Sequence, residues 1–216
     1  MRSDAVEVLL AVNDVHPVSP DDLLCRLKDC EQNRAYVQAV SRGVNAHERL
    51  SALELLLNVV SVVCDTSVLT LSRTDKGQPY FEDDGVIAPH FSLSHTKDAV
   101  AVAVCKNARI GVDVQSESGF DADKMMRVAK RFFSDGELAR LDRAQDFTRD
   151  FLKIWTCKEA VSKLYGTGQP YLYDTSDNDA YFLNFSYDGG VLAISFESLA
   201  YIRRDISPKT FVLLKR

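Results

Sequence analysis

Residues 99–115 read Ala99-Val100-Ala101-Val102-Ala103-Val104-Cys105-Lys106-Asn107-Ala108-Arg109-Ile110-Gly111-Val112-Asp113-Val114-Gln115. The alternation of alanine and valine over 99–105 suits a strand better than a helix. Lys106-Asn107 reads as a hairpin turn, and Arg109 to Gln115 as the returning strand. The middle of the chain is therefore β-structure, and what flanks it decides the fold class.

Upstream, Val6 to Val12 predicts a buried strand ended by Asn13-Asp14. Ser19, Pro20, Asp21 and Asp22 form a helix start, with a serine cap, proline in the first turn and carboxylates behind it. That helix is expected to reach about Cys30 and to resume from Arg34 to Val40. A second helix starts near Asn45 and lines up Leu50, Leu53, Leu57, Val60 and Cys64 at spacings of three and four. A strand over Val68–Ser72, a turn at Asp75-Lys76-Gly77 and an extended stretch over His90–Ser94 follow. Downstream, a helix is expected over Asp123–Phe132. Ser134-Asp135-Gly136-Glu137 is a capping box opening a helix to Leu141. A long helix from Asp146 to Tyr165 stops at Gly166, and strands follow near Tyr181–Tyr187, Val191–Phe196 and Phe211–Leu214. Each half thus carries a long helix with short strands at hairpin spacing, an α+β pattern with two-fold internal similarity.

Charge and composition remove several function classes. Of 216 residues, 46% are apolar and 26% charged, the balance of a folded domain and not of a disordered chain. Twenty-six basic against thirty-one acidic residues give a net charge of −5, with no dense basic run. A duplex nucleic-acid binder is not expected from this balance. The first apolar stretch, Ala5 to Val12, is interrupted by Glu7 and is too short for a signal-peptide core. The later run Ala99 to Cys105 is far below the roughly 18 residues needed to span a bilayer. Five cysteines without a CxxC pair read as reduced thiols. The expectation is a soluble, cytoplasmic chain that binds neither nucleic acid nor membrane.

Three segments carry chemistry-bearing residues. On a strand, Asp113 and Gln115 share one face and Val112 and Val114 the other, so two oxygen donors at a strand end suit a hard cation such as magnesium. The same residues also suit a loop cap and a solvated amide, and this segment alone does not separate the readings. In Trp155-Thr156-Cys157-Lys158-Glu159-Ala160-Val161-Ser162-Lys163, positions 155, 159 and 163 share a helical face. Glu159 and Lys163 read either as an ordinary surface pair or as a metal ligand or base beside a phosphate-binding cation. Phe91-Ser92-Leu93-Ser94-His95 ends before a turn, and hydroxyl, imidazole and turn amides there can all donate to an anion. No G-x-S-x-G elbow, P-loop or GxGxxG is present. The ingredients together suit metal-assisted chemistry on a phosphate or pyrophosphate.

FSLSH (91–95), GVDVQ (111–115), KRFFS (130–134) and WTCKEAVSK (155–163), in this order and at these distances, resemble the 4′-phosphopantetheinyl transferases. The closer resemblance is to the single-chain, surfactin-synthetase-activating class. It implies two pseudo-two-fold-related α+β halves, each a long helix packed on a small antiparallel sheet. Residues 1–107 would supply coenzyme A phosphate and adenine contacts, and residues 108–216 the magnesium site and carrier-protein docking. The implied activity is magnesium-dependent transfer of the 4′-phosphopantetheine arm of coenzyme A to a serine of an apo acyl or peptidyl carrier protein, with release of 3′,5′-ADP, by a monomer. By motif, Asp113, Gln115 and Glu159 would hold the metal. Glu159 would also take the serine proton, directly or through water, and Lys163 would steady phosphate charge. Ser94 and His95 would contact phosphates, Arg73, Lys76 and Gln78 would lie along the nucleotide, and Arg34 and Arg49 would reach the 3′-phosphate. The segment Gly119–Phe133 would dock the carrier, aided by a basic patch of Lys124, Arg127, Lys130 and Arg131; Met125, Met126, Phe132 and Phe133 read equally as apolar docking contacts or as core. Two departures from the family pattern stand out: glutamine at 115 where an acid is frequent, and glutamine at 78 where lysine is. A relative that binds coenzyme A or carrier without transfer is the alternative that Gln115 favours. A metal-dependent phosphohydrolase is the third reading.

Overall fold

The structure is a computed structural model describing residues 8–82, 85, 87–119, 121–168, 181–187 and 189–196. Strands β1 (Val8–Asp14), β5 (Ala99–Cys105) and β4 (His90–His95) form one antiparallel sheet in the order β1-β5-β4. Strands β6 (Ile110–Ser116), β8 (Gly190–Phe196) and β7 (Tyr181–Tyr187) form a second, in the order β6-β8-β7. A two-stranded ribbon pairs β2 (Leu71–Arg73) with β3 (Pro79–Phe81). The helices are α1 (Pro20–Leu24), α2 (Glu31–Arg42), α3 (Ala46–Val60), α4 (Ala122–Phe132), α5 (Asp135–Leu141) and α6 (Phe147–Tyr165). This mixed α+β architecture is the class expected.

The valine–alanine alternation of β5 is an alternation of size, because both faces are buried. Val100, Val102 and Val104 pack with Leu53, Leu56, Leu57 and Val60 of α3. Ala101, Ala103 and Cys105 turn the other way and share a second core with Val112 and Val114 of β6 and Leu192 and Ile194 of β8. Small side chains on that face let the two sheets approach. Each fully buried leucine such as Leu56 contributes about 2 kcal/mol of apolar transfer free energy. On the far side of the second sheet α6 covers β6 and β8, with Cys157 and Ala160 against Ala193. Gly111 permits that approach: a Cβ there would lie 1.9 Å from the Ala160 carbonyl oxygen.

Local signals set the helix ends. Asp146 caps α6 by accepting from the Arg149 amide at 3.0 Å, and Gly166 ends it with φ +62°. The capping box of α5 is formed by Ser134 and Glu137. Glu137 also receives Lys158 Nζ at 2.8 Å, with both side chains fully buried, so the pair ties α5 to the middle of α6.

Several expectations are corrected. β5 and β6 are not a hairpin: β5 pairs with β1 and β4, β6 pairs with β8, and Lys106-Asn107 carries the chain between sheets. Partner choice is non-local, and a short turn sequence does not determine it. β1 runs on through Asn13 and Asp14, which pair with Val100 and Ala99; ladder bonds override their turn preference. The helix from Pro20 ends at Leu24, well short of Cys30. Val68 lies in a 3-10 turn (Thr66–Val68), held by the Asp65 carboxylate accepting from the Ser67 amide, and the strand begins only at Leu71. Met125 (2% exposed) and Phe133 (7%) are core residues and are not available to a partner. The strand expected over Phe211–Leu214 lies outside the described residues.

Candidate active site

The two sheets meet edge to edge where β4 passes β6. Two serines of β4 bridge this seam, Ser92 Oγ accepting from the Val112 amide at 3.0 Å and Ser94 Oγ from the Val114 amide at 3.2 Å. Strand alternation then delivers Asp113 between them, 3% exposed, while its neighbours Val112 and Val114 enter the inter-sheet core.

The Asp113 carboxylate is the hub of the site. Its Oδ1 accepts from Ser94 Oγ at 2.8 Å and from Lys163 Nζ at 2.8 Å, and its Oδ2 accepts from Gln115 Nε2 at 3.0 Å. Ser94 gives its single proton to Asp113, so in this arrangement it orients the carboxylate and has no hydroxyl proton for a phosphate. Lys163 comes from the last turn of α6, and half-buried Glu159 sits one turn earlier on the same face. Burial raises the Glu159 pKa above its ordinary value, the nearby Asp113 charge raises it further, and Lys163 opposes both.

On the Lys163 side of this hub lies a cavity of about 270 Å³ lined by Lys76, Gln78, Pro79, Leu93, Glu159 and Lys163 among others. Pro79 and Leu93 also border a hollow of about 150 Å³ that holds Tyr36, Arg49, Arg73 and His95. His95 is pushed below the ordinary imidazole range, first by burial, then by the Lys163 charge, with Arg49 adding to them and Glu48 and Asp113 opposing. A neutral imidazole among cations is a receptive partner for an anion. Arg73 lies over the Tyr36 ring at 4.5 Å and donates through Nη1 to the Gly77 carbonyl at 3.0 Å. Burial raises the Tyr36 pKa against the lowering influence of Arg73 and Arg49.

Of the residues picked from sequence, Asp113, Gln115, Lys163 and Ser94 form one bonded cluster, with Glu159 on the same helix face as Lys163. Lys76 and Gln78 line the same cavity, and Arg49, Arg73 and His95 the adjoining hollow. Arg34 is not brought there. It is exposed, pairs with Asp29, and borders a separate hollow between α1 and α2. Sequence reasoning missed Tyr36, which carries Arg73, and Lys158, whose burial against Glu137 positions α6. The acid of the capping box was a signal for Lys158, since it needed a buried cation once α5 docked.

Among the described residues there is no cluster of three His, Cys, Asp or Glu side chains. Two carboxylates in mutual repulsion, Asp113 and Glu159, nevertheless offer hard-oxygen donors whose charge a small divalent cation would relieve, with the Gln115 amide turned to Asp113 through its Nε2. The residues fit magnesium, with Lys163 already supplying one positive charge.

Mixed helices and small antiparallel sheets of this kind are consistent with the phosphopantetheinyl transferase fold. Residues 109–198, which carry Asp113, Glu159 and Lys163, match the family model described as ACPS, the 4′-phosphopantetheinyl transferase superfamily. Three curated relatives are similar. A putative 4′-phosphopantetheinyl transferase, slr0495 of Synechocystis sp., is 26% identical over 126 residues, 56% of this chain and 50% of its own. The 4′-phosphopantetheinyl transferase psf-1 of Bacillus pumilus is 37% identical over 84 residues, 38% of this chain and 34% of its own. The 4′-phosphopantetheinyl transferase HetI of Nostoc sp. is 32% identical over 90 residues, 41% of this chain and 36% of its own. The matched stretches thus span half or less of each relative's length. Among the described residues, no helix is long and apolar enough to cross a membrane.

Proposed function

We propose that this chain, as a cytoplasmic monomer of the surfactin-synthetase-activating type, transfers the 4′-phosphopantetheine arm of coenzyme A to a serine of an apo acyl or peptidyl carrier protein. The observation that carries the reading is the Asp113–Lys163 pair with Glu159 on the same helix face, Lys163 and Glu159 lining the seam cavity, within the segment that matches the superfamily.

The carrier serine oxygen attacks the phosphorus that bears the pantetheine arm. A new O–P bond forms, the bond from that phosphorus to the bridging oxygen breaks, and 3′,5′-ADP leaves with the electron pair. Glu159 accepts the serine proton, directly or through a bound water; its raised pKa brings its basicity closer to that task. Lys163 offers fixed positive charge to the pyrophosphate oxygens, where negative charge gathers as the bond breaks. Asp113 holds Lys163 in place through the 2.8 Å contact. Magnesium held by Asp113, Glu159 and Gln115 would supply Lewis-acid stabilisation of the pyrophosphate. His95, Arg49 and Arg73 take the remaining phosphates, and the turn containing Lys76 lies along the nucleotide. In this reading residues 1–107 bind the nucleotide, while residues 108–216 supply the acid pair and dock the carrier. Lys124, Arg127, Lys130 and Arg131 of α4 are all exposed and form a local cationic face for an acidic carrier, which the net charge of −5 would otherwise repel.

Incubation with apo carriers, coenzyme A and magnesium should give a carrier mass gain of one phosphopantetheine arm, with 3′,5′-ADP formed in equal amount. Asp113→Ala and Glu159→Gln should abolish the gain while the far-ultraviolet spectrum stays native. Intact coenzyme A binding with no gain on any carrier overturns the reading in favour of a binding protein. Release of 3′,5′-ADP without carrier points to a hydrolase.

A further inference from the structure

Gln78 reaches across the seam to the end of α6. Its Nε2 donates to the Lys163 backbone carbonyl at 2.7 Å, across 85 residues of sequence. The other end of the amide, Oε1, lies against Gly166, where a Cβ would meet it at 2.6 Å. A side chain at 166 would therefore collide with Gln78 as well as strain the left-handed backbone.

The turn that presents this amide is closed on itself. The Thr74 amide donates to the Gln78 carbonyl at 2.9 Å, the Gln78 amide to Thr74 Oγ1 at 3.1 Å, and the Gly77 amide to the Thr74 carbonyl at 2.8 Å. Arg73 joins the turn to α2 through the Gly77 carbonyl and the Tyr36 ring. A firmly held donor thus meets the least firmly held part of a helix. The last carbonyls of a helix lack intrahelical partners, and the last turn opens most readily. Lys163 stands in that turn, yet its Nζ has to stay within 2.8 Å of Asp113. Within the helix end itself, the Gly166 amide meets the same carbonyl at the longer distance of 3.3 Å.

We propose that Gln78 is a positioning residue: its amide clamps the last turn of α6 so that Lys163 is held against Asp113 and the transferring phosphate. The proposal rests on the transferase reading above for what Lys163 does, and on the hydrogen bonds alone for the clamp. The amide nitrogen is directed at protein backbone, although Gln78 lines the cavity.

Three variants of the full chain test it. Gln78→Ala removes the amide. Gln78→Glu keeps the size but sets a carboxylate, which cannot donate, against a carbonyl oxygen. Gln78→Lys restores an N–H donor of sufficient reach. Two quantities are read: kcat and KM for coenzyme A in carrier modification, and backbone hydrogen exchange over residues 163–167 of the free protein. Gln78→Ala and Gln78→Glu should lower kcat about 5- to 30-fold with KM for coenzyme A changed by less than about twofold, and exchange at the helix end should accelerate. Gln78→Lys should return both toward the parent protein. A raised KM at constant kcat would make Gln78 a cofactor contact and overturn the proposal, as would unaltered exchange in both Gln78→Ala and Gln78→Glu. A parent protein inactive on every carrier would sink the transferase reading, while hydrogen exchange would still judge the clamp.

Discussion

Glu159 is the side chain in which the proposed function and stability pull in opposite directions. Burial and the Asp113 charge hold its pKa above the ordinary 4.5. The folded chain therefore binds the Glu159 proton more tightly than the unfolded chain does. Stability linked to this group is fully present below the unfolded value and is lost as pH rises through the folded value. Glu159→Gln keeps the shape and removes the ionisation. The variant should match the parent below pH 4.5, gain on it as pH rises through the folded pKa, and hold a constant advantage above that. Thermal midpoints of both proteins across this range check the sign; a parent that becomes the more stable of the two on raising pH would show that Lys163 outweighs burial and Asp113. The same substitution is expected to be inactive in transfer, so the position carries a charge that the fold alone disfavours.

At the scale of elements, the site depends on how closely α6 lies on β6, because only then does Lys163 reach Asp113. Gly111 sets that spacing. Gly111→Ala would press a methyl against the Ala160 carbonyl at 1.9 Å and the Leu164 amide at 2.8 Å, both backbone atoms of α6 that cannot rotate away. The expected cost is about 3 kcal/mol, at the upper end for overpacking, read as a lower denaturation midpoint together with impaired transfer. Gly77→Ala is the control, since nothing lies within 4 Å of a Cβ there and the cost is confined to its φ of +81°, roughly 1 kcal/mol. A Gly111→Ala midpoint equal to that of Gly77→Ala would show that α6 can move outward freely. The ends of α6 and the capping box of α5 were legible in the sequence because they depend on residues within one turn of each other. Asp113, Glu159 and Lys163 were legible as a motif. Their bonds were not: the serine bridges join residues 20 apart and the Gln78 clamp residues 85 apart. The β5–β6 hairpin was misread for the same reason, since a local turn signal says nothing about which edge a strand will join.

Over the described residues, the two three-stranded sheets are distinct in topology and joined by packing. α3 covers one and α6 the other. Yet the core between the sheets takes Val8, Leu10, Val12, Ala101 and Ala103 from one half and Val112, Val114, Leu192 and Ile194 from the other. Separating the halves would expose that entire apolar face to water, at about 25 cal/mol per Å². The hub of the site spans the same boundary, since Ser94 belongs to one sheet and Asp113 to the other. Cooperative unfolding as one unit is the expected consequence. The chain has a single tryptophan, Trp155, which packs against Phe132 and Phe151 in the C-terminal half. Its fluorescence reports that half alone, whereas far-ultraviolet circular dichroism reports both. Urea transitions followed by the two probes should coincide in midpoint and slope. If fluorescence were lost at lower urea than ellipticity, the C-terminal half would be opening while the N-terminal half stayed folded. The inter-sheet core would then be too weak to couple them, and the Asp113–Ser94 contact would break before the chain as a whole unfolds.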